Sequence, residues 1–359
     1  MSAAPAAAAT PAARGAPAAR HHVIIGTGIA GNQAARTLRQ REPQARISML
    51  TLSALPFYNR YDLPQVFRGA HDWRDFLVDP PSYYEAQRIE LRRCTRVLNV
   101  DAKRKTLMLG HNEQMSYDTL LVASGGRAYL PEEFSEFAAL LDGFATFEQA
   151  MAMQRKLPDG GTVAILGGDM IGLDLARTLL DTGHRVVLVS GRHTFWPHVV
   201  AEQQRGELLE VFARMGVQVL EADAQGGIAA IRAGAAPARS VVFGNGRECP
   251  ADVVLPSFGL VPSVEFMLGS GVGIERGLLV SPGLHTTDES ILAAGDVCQI
   301  WSAQENRYRF YFGWKNVRAM GELAARNLTG EDLAFEPAQD EALRVIDGAT
   351  IHSPFWEYA

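Results

Sequence analysis

The chain has 359 residues, enough for two ordinary domains, with 47 % apolar and 21 % charged residues, the composition of a globular protein. A formal net charge of −6 argues against nucleic acid or an anionic membrane surface as the main partner, and no apolar run reaches the ~20 residues that a membrane helix needs. Cys94, Cys249 and Cys298 are isolated in sequence, which speaks against a local redox disulfide or a cysteine metal site and suits a reducing compartment; no metal is expected.

Residues 1–20 are almost entirely Ala and Pro, too poor in large apolar side chains to build a core, so a disordered tail is expected. The tail lacks the Leu, Val or Ile centre of a secretory signal, and a cytoplasmic protein is expected. Val23 to Ile25 then read as a buried strand, and Gly26, Gly28 and Gly31 fall at G-x-G-x-x-G spacing before a helix that runs through Ile29, Ala30 and Leu38. Such a turn binds a dinucleotide: Gly26 allows the tight bend, Gly28 the approach of a pyrophosphate, and Gly31 close packing of helix on strand. The same spacing also occurs as a plain packing feature. The next strand, Arg46 to Leu50, ends in Thr51-Leu52-Ser53, where such a fold usually presents an acid to a ribose. Ser53 offers a hydroxyl in its place.

The segment Pro56-Phe57-Tyr58-Asn59-Arg60-Tyr61-Asp62-Leu63-Pro64, following that turn, resembles the flavin-facing stretch of the pyridine nucleotide-disulfide oxidoreductase superfamily. The resemblance is to its members without a redox disulfide, the ferredoxin or rubredoxin reductase and nitrite reductase flavoprotein types. It covers residues 22 to about 330 and implies that Asn59 and Arg60 face an FAD; Phe57 and Tyr58 read equally as loop packing. Residues 89–109 alternate as an antiparallel ribbon, in which the resemblance puts the Val97 backbone on the adenine. The run Tyr117 to Gly126 is similar to the family's Tyr-Asp-x-Leu-x-x-Ala-Thr-Gly, with Ser124 for Thr; it implies flavin contacts at Ala123, Ser124 and Gly125, where the chain leaves the first domain.

A second strand-turn-helix repeats the first. Thr162 to Leu166 precede Gly167-Gly168-Asp169-Met170-Ile171-Gly172. The resemblance implies that Gly167, Gly168, Asp169, Ile171, Gly172, Ser190, Arg192 and Gly259 hold NADH or NADPH. Asp169 replaces the middle glycine, however, and a carboxylate at the pyrophosphate's place is unfavourable in bulk and in charge. The following strand ends in Ser190-Gly191-Arg192-His193 without an NADH-selecting acid, and Arg192 reads either as a partner for a 2′-phosphate or as a solvated surface residue. Asp174 and Gln65 stand where the resemblance leads one to expect a Glu–Lys ion pair near the flavin, so that pair is absent.

Ala251 to Ser263 resembles the family's return segment, and Thr287 to Val297 ends an apolar strand in Ala294-Gly295-Asp296. There the resemblance implies that Gly295 and Asp296 meet the ribityl chain and flavin phosphate; a plain helix cap is the alternative. Gly313 to Gly321 matches the helix that closes the flavin domain, with Trp314, Asn316 and Val317 near the ring. Residues 333–359 are expected to keep only the first strand of the family's interface domain, at Leu343 to Ile351, followed by an aromatic end that docks on this chain or a partner.

The expected fold is therefore α/β, with two Rossmann-like nucleotide-binding domains of three-layer ββα build and parallel sheets. An FAD domain over 21–142 and 275–332 is interrupted by an NAD(P)-type domain over 143–274. The leading reading is an FAD-dependent oxidoreductase that passes electrons between NAD(P)H and a protein or small-molecule acceptor through flavin N5, with a ferredoxin-like partner or complex subunit. The competing reading is an FAD-carrying subunit of a larger redox complex that does not bind NAD(P)H productively. A scaffold that keeps FAD for structure is the third.

Overall fold

A computed structural model describes residues 19–234, 239–338, 343–346 and 350–352. The Ala/Pro tail up to residue 18 and the aromatic end, 353–359, lie outside the described residues. The chain opens with β1 (His21–Ile25), α1 (Ile29–Arg41) and β2 (Arg46–Leu50). It passes through 3-10 turns at Arg60–Arg68 and Trp73–Phe76 and short α2 (Pro81–Ala86) to β3 (Ile89–Arg92). A ribbon follows, β4 (Val97–Asp101), β5 (Thr106–Leu109) and β6 (Gln114–Ser116), then β7 (Thr119–Val122).

The second half-turn of the chain comprises β8 (Gly126–Ala128), α3 (Phe147–Lys156), β9 (Thr162–Gly167), α4 (Met170–Asp181), β10 (Arg185–Ser190), α5 (Glu202–Arg214) and β11 (Gln218–Glu221). A second ribbon, β12 (Ile228–Ala233), β13 (Arg239–Phe243) and β14 (Glu248–Ala251), leads to β15 (Val253–Ser257) and β16 (Leu260–Pro262). The return adds β17 (Leu278–Val280), β18 (Ile291–Ala293), β19 (Cys298–Ser302), β20 (Arg307–Arg309) and α6 (Trp314–Leu328).

Two parallel sheets organise these elements. The first has strand order β18-β7-β1-β2-β3 and the second β11-β10-β9-β15, all neighbours parallel. Parallel strands must be covered on both faces, and the alternation along β9 shows how. Val163 and Ile165 pack with Leu173, Leu179 and Phe212 on the helical side, whereas Ala164 and Leu166 pack with Val241 and Phe243 of the second ribbon. The first sheet is built alike, with Val100, Leu107 and Leu109 of the first ribbon joining α1, α6 and the sheet in one core.

Two chain crossings join the units. β8 and β16 pair antiparallel, and the Ser124 hydroxyl donates to the Ser263 carbonyl at 2.8 Å. Behind them, the buried Asp142 carboxylate meets Lys156 at 2.6 Å and Arg239 at 3.1 Å. Near the end of the chain, Leu343 is buried and its carbonyl accepts from Gln204 of α5 at 2.8 Å. Beyond it, β21 (Arg344–Ile346) turns back on β22 (Thr350–His352) as an antiparallel pair, so this segment is a two-stranded ribbon where the sequence leads one to expect one strand.

Candidate functional site

The first crevice lies at the carboxyl ends of β1, β7 and β18, the position at which open parallel sheets bind ligands. Gly26 has φ +111°, and a Cβ there would sit 2.1 Å from the Ala123 carbonyl. A Cβ on Gly31 would sit 2.1 Å from the Gly26 carbonyl. Both glycines are therefore demanded by backbone packing. Gly28 differs: a Cβ there would meet nothing within 4 Å, and no side chain caps α1. The positive end of α1 thus faces open space, the arrangement that accepts a phosphate.

Asp296 stands beside that opening. Burial pushes its carboxyl up to about 6, with only the Arg60 guanidinium opposing. Among the described residues none donates a hydrogen bond to it, and the residue stays partly exposed to the opening, which leaves its oxygens free to accept from a ligand. Gly295, at φ +86°, packs between Val317 and Ala30, and its N–H meets the Met320 sulfur at 3.4 Å. Ala30, Gly295 and Val317 are thereby brought together with Asp296, and Arg60 reaches the same region while lying over the Tyr58 ring at 5.1 Å. Trp314 opens α6 and meets Tyr61 edge-on at 6.2 Å. The open helix end, the unmatched carboxyl and the glycine cradle suit an FAD, its phosphate at α1 and its ribityl hydroxyls at Asp296.

Other expected contacts are engaged inside the protein. The Ser53 hydroxyl closes its own loop, donating to the Leu55 carbonyl and accepting from the Leu55 N–H, each at 3.0 Å. Asn59 caps the following 3-10 turn, accepting from Tyr61 N–H and donating to Asp62. Asn316 donates to the Phe312 carbonyl and accepts from Ala338 N–H. Ser124 ties the chain crossing, next to Gly125 at φ +63°. Val97 is half-buried at the start of β4. Ser53 and Asn59 thus bond within their own loops, whereas Ser124 and Asn316 tie together more distant parts of the chain.

The second turn is occupied differently. Asp169 is fully enclosed, and its carboxylate accepts from Gly172 N–H at 2.9 Å, Gly259 N–H at 2.8 Å and the Ser257 hydroxyl at 2.6 Å. Burial pushes its pKa up, against these donors and Ile171 N–H. The expectation of a carboxylate projecting at a pyrophosphate is corrected: Asp169 turns inward as the N-cap of α4. Its charge is met by donors of the helix end itself. Gly172 is needed because a Cβ there would lie 2.1 Å from the Ser257 hydroxyl. Gly167 and Gly168 both have positive φ, and the Gly168 carbonyl accepts from Phe195 N–H at 2.8 Å. Ile171 is partly exposed.

At the end of β10, Ser190 is buried and its hydroxyl has no partner among the described residues. Arg192 forms an exposed ion pair with Glu133 at 3.4 Å. Asp174 is surrounded by Arg177 at 3.8 Å, by Arg68 and by the like charge of Asp62, and burial pushes its carboxyl up; Gln65 is exposed. Three residues escaped the sequence reading. Ser257, Trp196 and Phe312 shape this region, and the only sequence signal was the aromatic clustering of Phe195-Trp196 and of Phe310-Tyr311-Phe312.

Comparison with known proteins agrees with this architecture. The family model described as pyridine nucleotide-disulphide oxidoreductase matches residues 20–317. The biphenyl dioxygenase system ferredoxin–NAD(+) reductase component of Paraburkholderia xenovorans is 28 % identical over 302 residues, 84 % of this chain and 73 % of that protein. A rubredoxin-NAD(+) reductase of Pseudomonas putida is 26 % identical over 76 % of this chain and 71 % of its own. Among solved structures, a ferredoxin reductase from Rhodopseudomonas palustris superposes with a TM-score of 0.77 at 25 % identity, over 88 % of this chain and 78 % of that one.

Proposed function

Because this chain belongs to the pyridine nucleotide-disulphide oxidoreductase family, we propose that it is an FAD-dependent oxidoreductase passing electrons between NAD(H) and a small redox protein. The observation that carries the reading is the crevice at β1, β7 and β18, where an uncapped helix end and the unmatched Asp296 carboxyl suit a flavin dinucleotide. Bound there, FAD supplies the hydride and single-electron chemistry. The chain's part is to hold it: Gly26, Gly28 and Gly31 admit the phosphates, Asp296 accepts from the ribityl hydroxyls, and Arg60 balances the buried charge. Trp314 and Val317 border the ring.

We assign the flavin unit to residues 21–142 and 275–332 and the nicotinamide unit to 143–274. The names of the relatives, ferredoxin–NAD(+) and rubredoxin–NAD(+) reductases, support NAD(H) as donor or acceptor and an iron-sulfur or rubredoxin-type protein as the other. Arg192 stands exposed at the end of β10, paired with Glu133. A redox disulfide takes no part in this reading, because Cys94, Cys249 and Cys298 are all unpaired, the last two buried. A cytoplasmic setting is supported by these unpaired thiols; among the described residues no helix is long and apolar enough to cross a membrane.

The test is an anaerobic titration of the flavin-loaded protein with NADH and then NADPH, followed by addition of an oxidised plant-type or bacterial [2Fe–2S] ferredoxin. NADH is expected to bleach the flavin absorbance and the ferredoxin to restore it. If neither nucleotide bleaches a flavin that dithionite does bleach, the nicotinamide reading falls and the protein is a flavin subunit fed by another carrier.

A further inference from the structure

The two dinucleotide turns treat their helix donors differently. At the second, Ile171 and Gly172 N–H meet the Asp169 carboxylate, and Met170 N–H meets the Trp196 carbonyl at 2.9 Å. At the first, no side chain caps α1. From Gly28 onward, the first N–H with an acceptor among the described residues is that of Asn32, 3.0 Å from the Gly28 carbonyl. An anion bound at such a turn needs the turn carbonyls to point away from it, because the negative end of each peptide dipole repels a phosphate while the positive end attracts it.

Asn32 imposes that orientation. Its side chain is buried, and Nδ2 donates to the Thr27 carbonyl at 2.7 Å and to the Gly28 carbonyl at 3.1 Å. In a planar trans peptide the C=O and the following N–H point in opposite directions. Anchoring both oxygens inside therefore directs the N–H groups of Gly28 and Ile29 outward, to the side on which a Cβ at Gly28 would meet nothing. A side-chain amide can turn end for end, and Tyr84 prevents this. Its hydroxyl, buried on α2, donates to Asn32 Oδ1 at 2.6 Å, so a reversed amide would lose that bond and set its own oxygen against two carbonyls. The Phe57 backbone N–H faces the same hydroxyl, which ties the turn to the segment leading to Arg60, the cation opposing Asp296.

We propose that Asn32 and Tyr84 are positioning residues for the diphosphate of the flavin dinucleotide. The amide holds the Thr27 and Gly28 carbonyls inward, Tyr84 keeps the amide in the orientation that can do so, and the N–H groups of Gly28 and Ile29 are left to meet phosphate oxygens. This rests on the reading of the first crevice as an FAD site. Gly28 is the freest residue of the turn, so without the amide its two flanking peptides can rotate. Each peptide that turns over replaces an N–H at the phosphate by a carbonyl oxygen.

The experiment compares flavin-loaded wild type, N32A, N32L and Y84F by equilibrium dialysis against free FAD and by phosphorus NMR of the bound FAD. The visible flavin spectrum and the melting of the flavin-free proteins serve as controls. Loss of the two amide bonds in N32A and N32L is expected to raise the FAD dissociation constant about tenfold, and loss of one bond in Y84F about threefold. In all three the bound diphosphate resonances are expected to move from their wild-type positions while the flavin spectrum stays in place. Y84F, which removes a single oxygen, carries the test if neither Asn32 variant folds. A purely structural role would lower melting and affinity without moving the phosphorus resonances. Unmoved resonances in the variants that fold, or FAD affinity within twofold of wild type in both Asn32 variants, overturn the proposal and leave the flavin reading standing. A wild-type protein that binds no FAD overturns that reading and the proposal with it.

Discussion

At the scale of the residue, two aspartates occupy equivalent-looking places and do opposite work. Asp169 is met by four donors and completes the α4 terminus. Asp296 lies partly exposed beside the crevice and is met by no donor among the described residues, and the burial of its carboxyl raises it to about 6, with only Arg60 opposing. An acid raised in the folded state favours its protonated form. In the flavin-free protein its contribution to stability is present below its unfolded value near 4 and is lost as pH rises through about 6. Ribityl hydroxyls donating to the carboxylate favour the ionised form instead. Flavin retention should accordingly weaken as pH falls through about 6, which equilibrium dialysis against free FAD at pH 5 and pH 7.5 would measure. The D296A variant should lose most of its flavin at pH 7.5 and all of this pH dependence; full occupancy in D296A would show that the ribityl chain lies elsewhere.

At the scale of the element, the phosphate site depends on how closely α6 approaches α1. A Cβ on Gly321 would lie 2.3 Å from the Ala30 carbonyl, a contact with backbone that cannot be relieved by rotating a side chain. The first turn of α1 and the turn at Gly295 share that packing, because Ala30 also touches Gly295. G321V should therefore push α6 from α1 at a cost of roughly 1–3 kcal/mol or more and weaken flavin binding through a residue that need not touch the flavin. Urea denaturation with and without added FAD tests this. An unchanged midpoint in both would mean that the two helices separate freely.

At the scale of the whole molecule, the two units are joined by the β8–β16 crossing and by Asp142, which holds Lys156 and Arg239 together. Arg239 is largely buried, so removing the carboxylate strands its charge. D142A should cost about 3 kcal/mol, at the low end for a buried pair because Lys156 is half-exposed, and should loosen the nicotinamide unit before the flavin unit. Hydrogen exchange of the two sheets, β9 to β15 against β1 to β18, would show the difference; equal protection losses would place Asp142 outside the junction.

Much of this architecture is legible in the amino-acid order because it rests on local chemistry. Gly26 and Gly31 impose a turn in which no side chain fits, Gly28 leaves the helix end open, and apolar runs such as Thr162 to Leu166 specify strands buried on both faces. The Ala-Gly-Asp ending of β18 likewise announces its carboxylate. The fate of the polar groups is a different matter, since hydrogen-bond partners come from wherever the fold brings them. Ser257 lies 88 residues from Asp169, and no spacing rule could say that it and Gly259 would turn that carboxylate inward. Nor could spacing bring Trp196, Gly259 and Phe312, from three separate strand ends and loops, into one contact. The sequence by itself determined that the chain repeats a nucleotide-binding turn, because each turn is written in adjacent residues. Only the tertiary structure decided that one turn stays open and the other is filled from within, because that outcome depends on donors and rings contributed from distant parts of the chain.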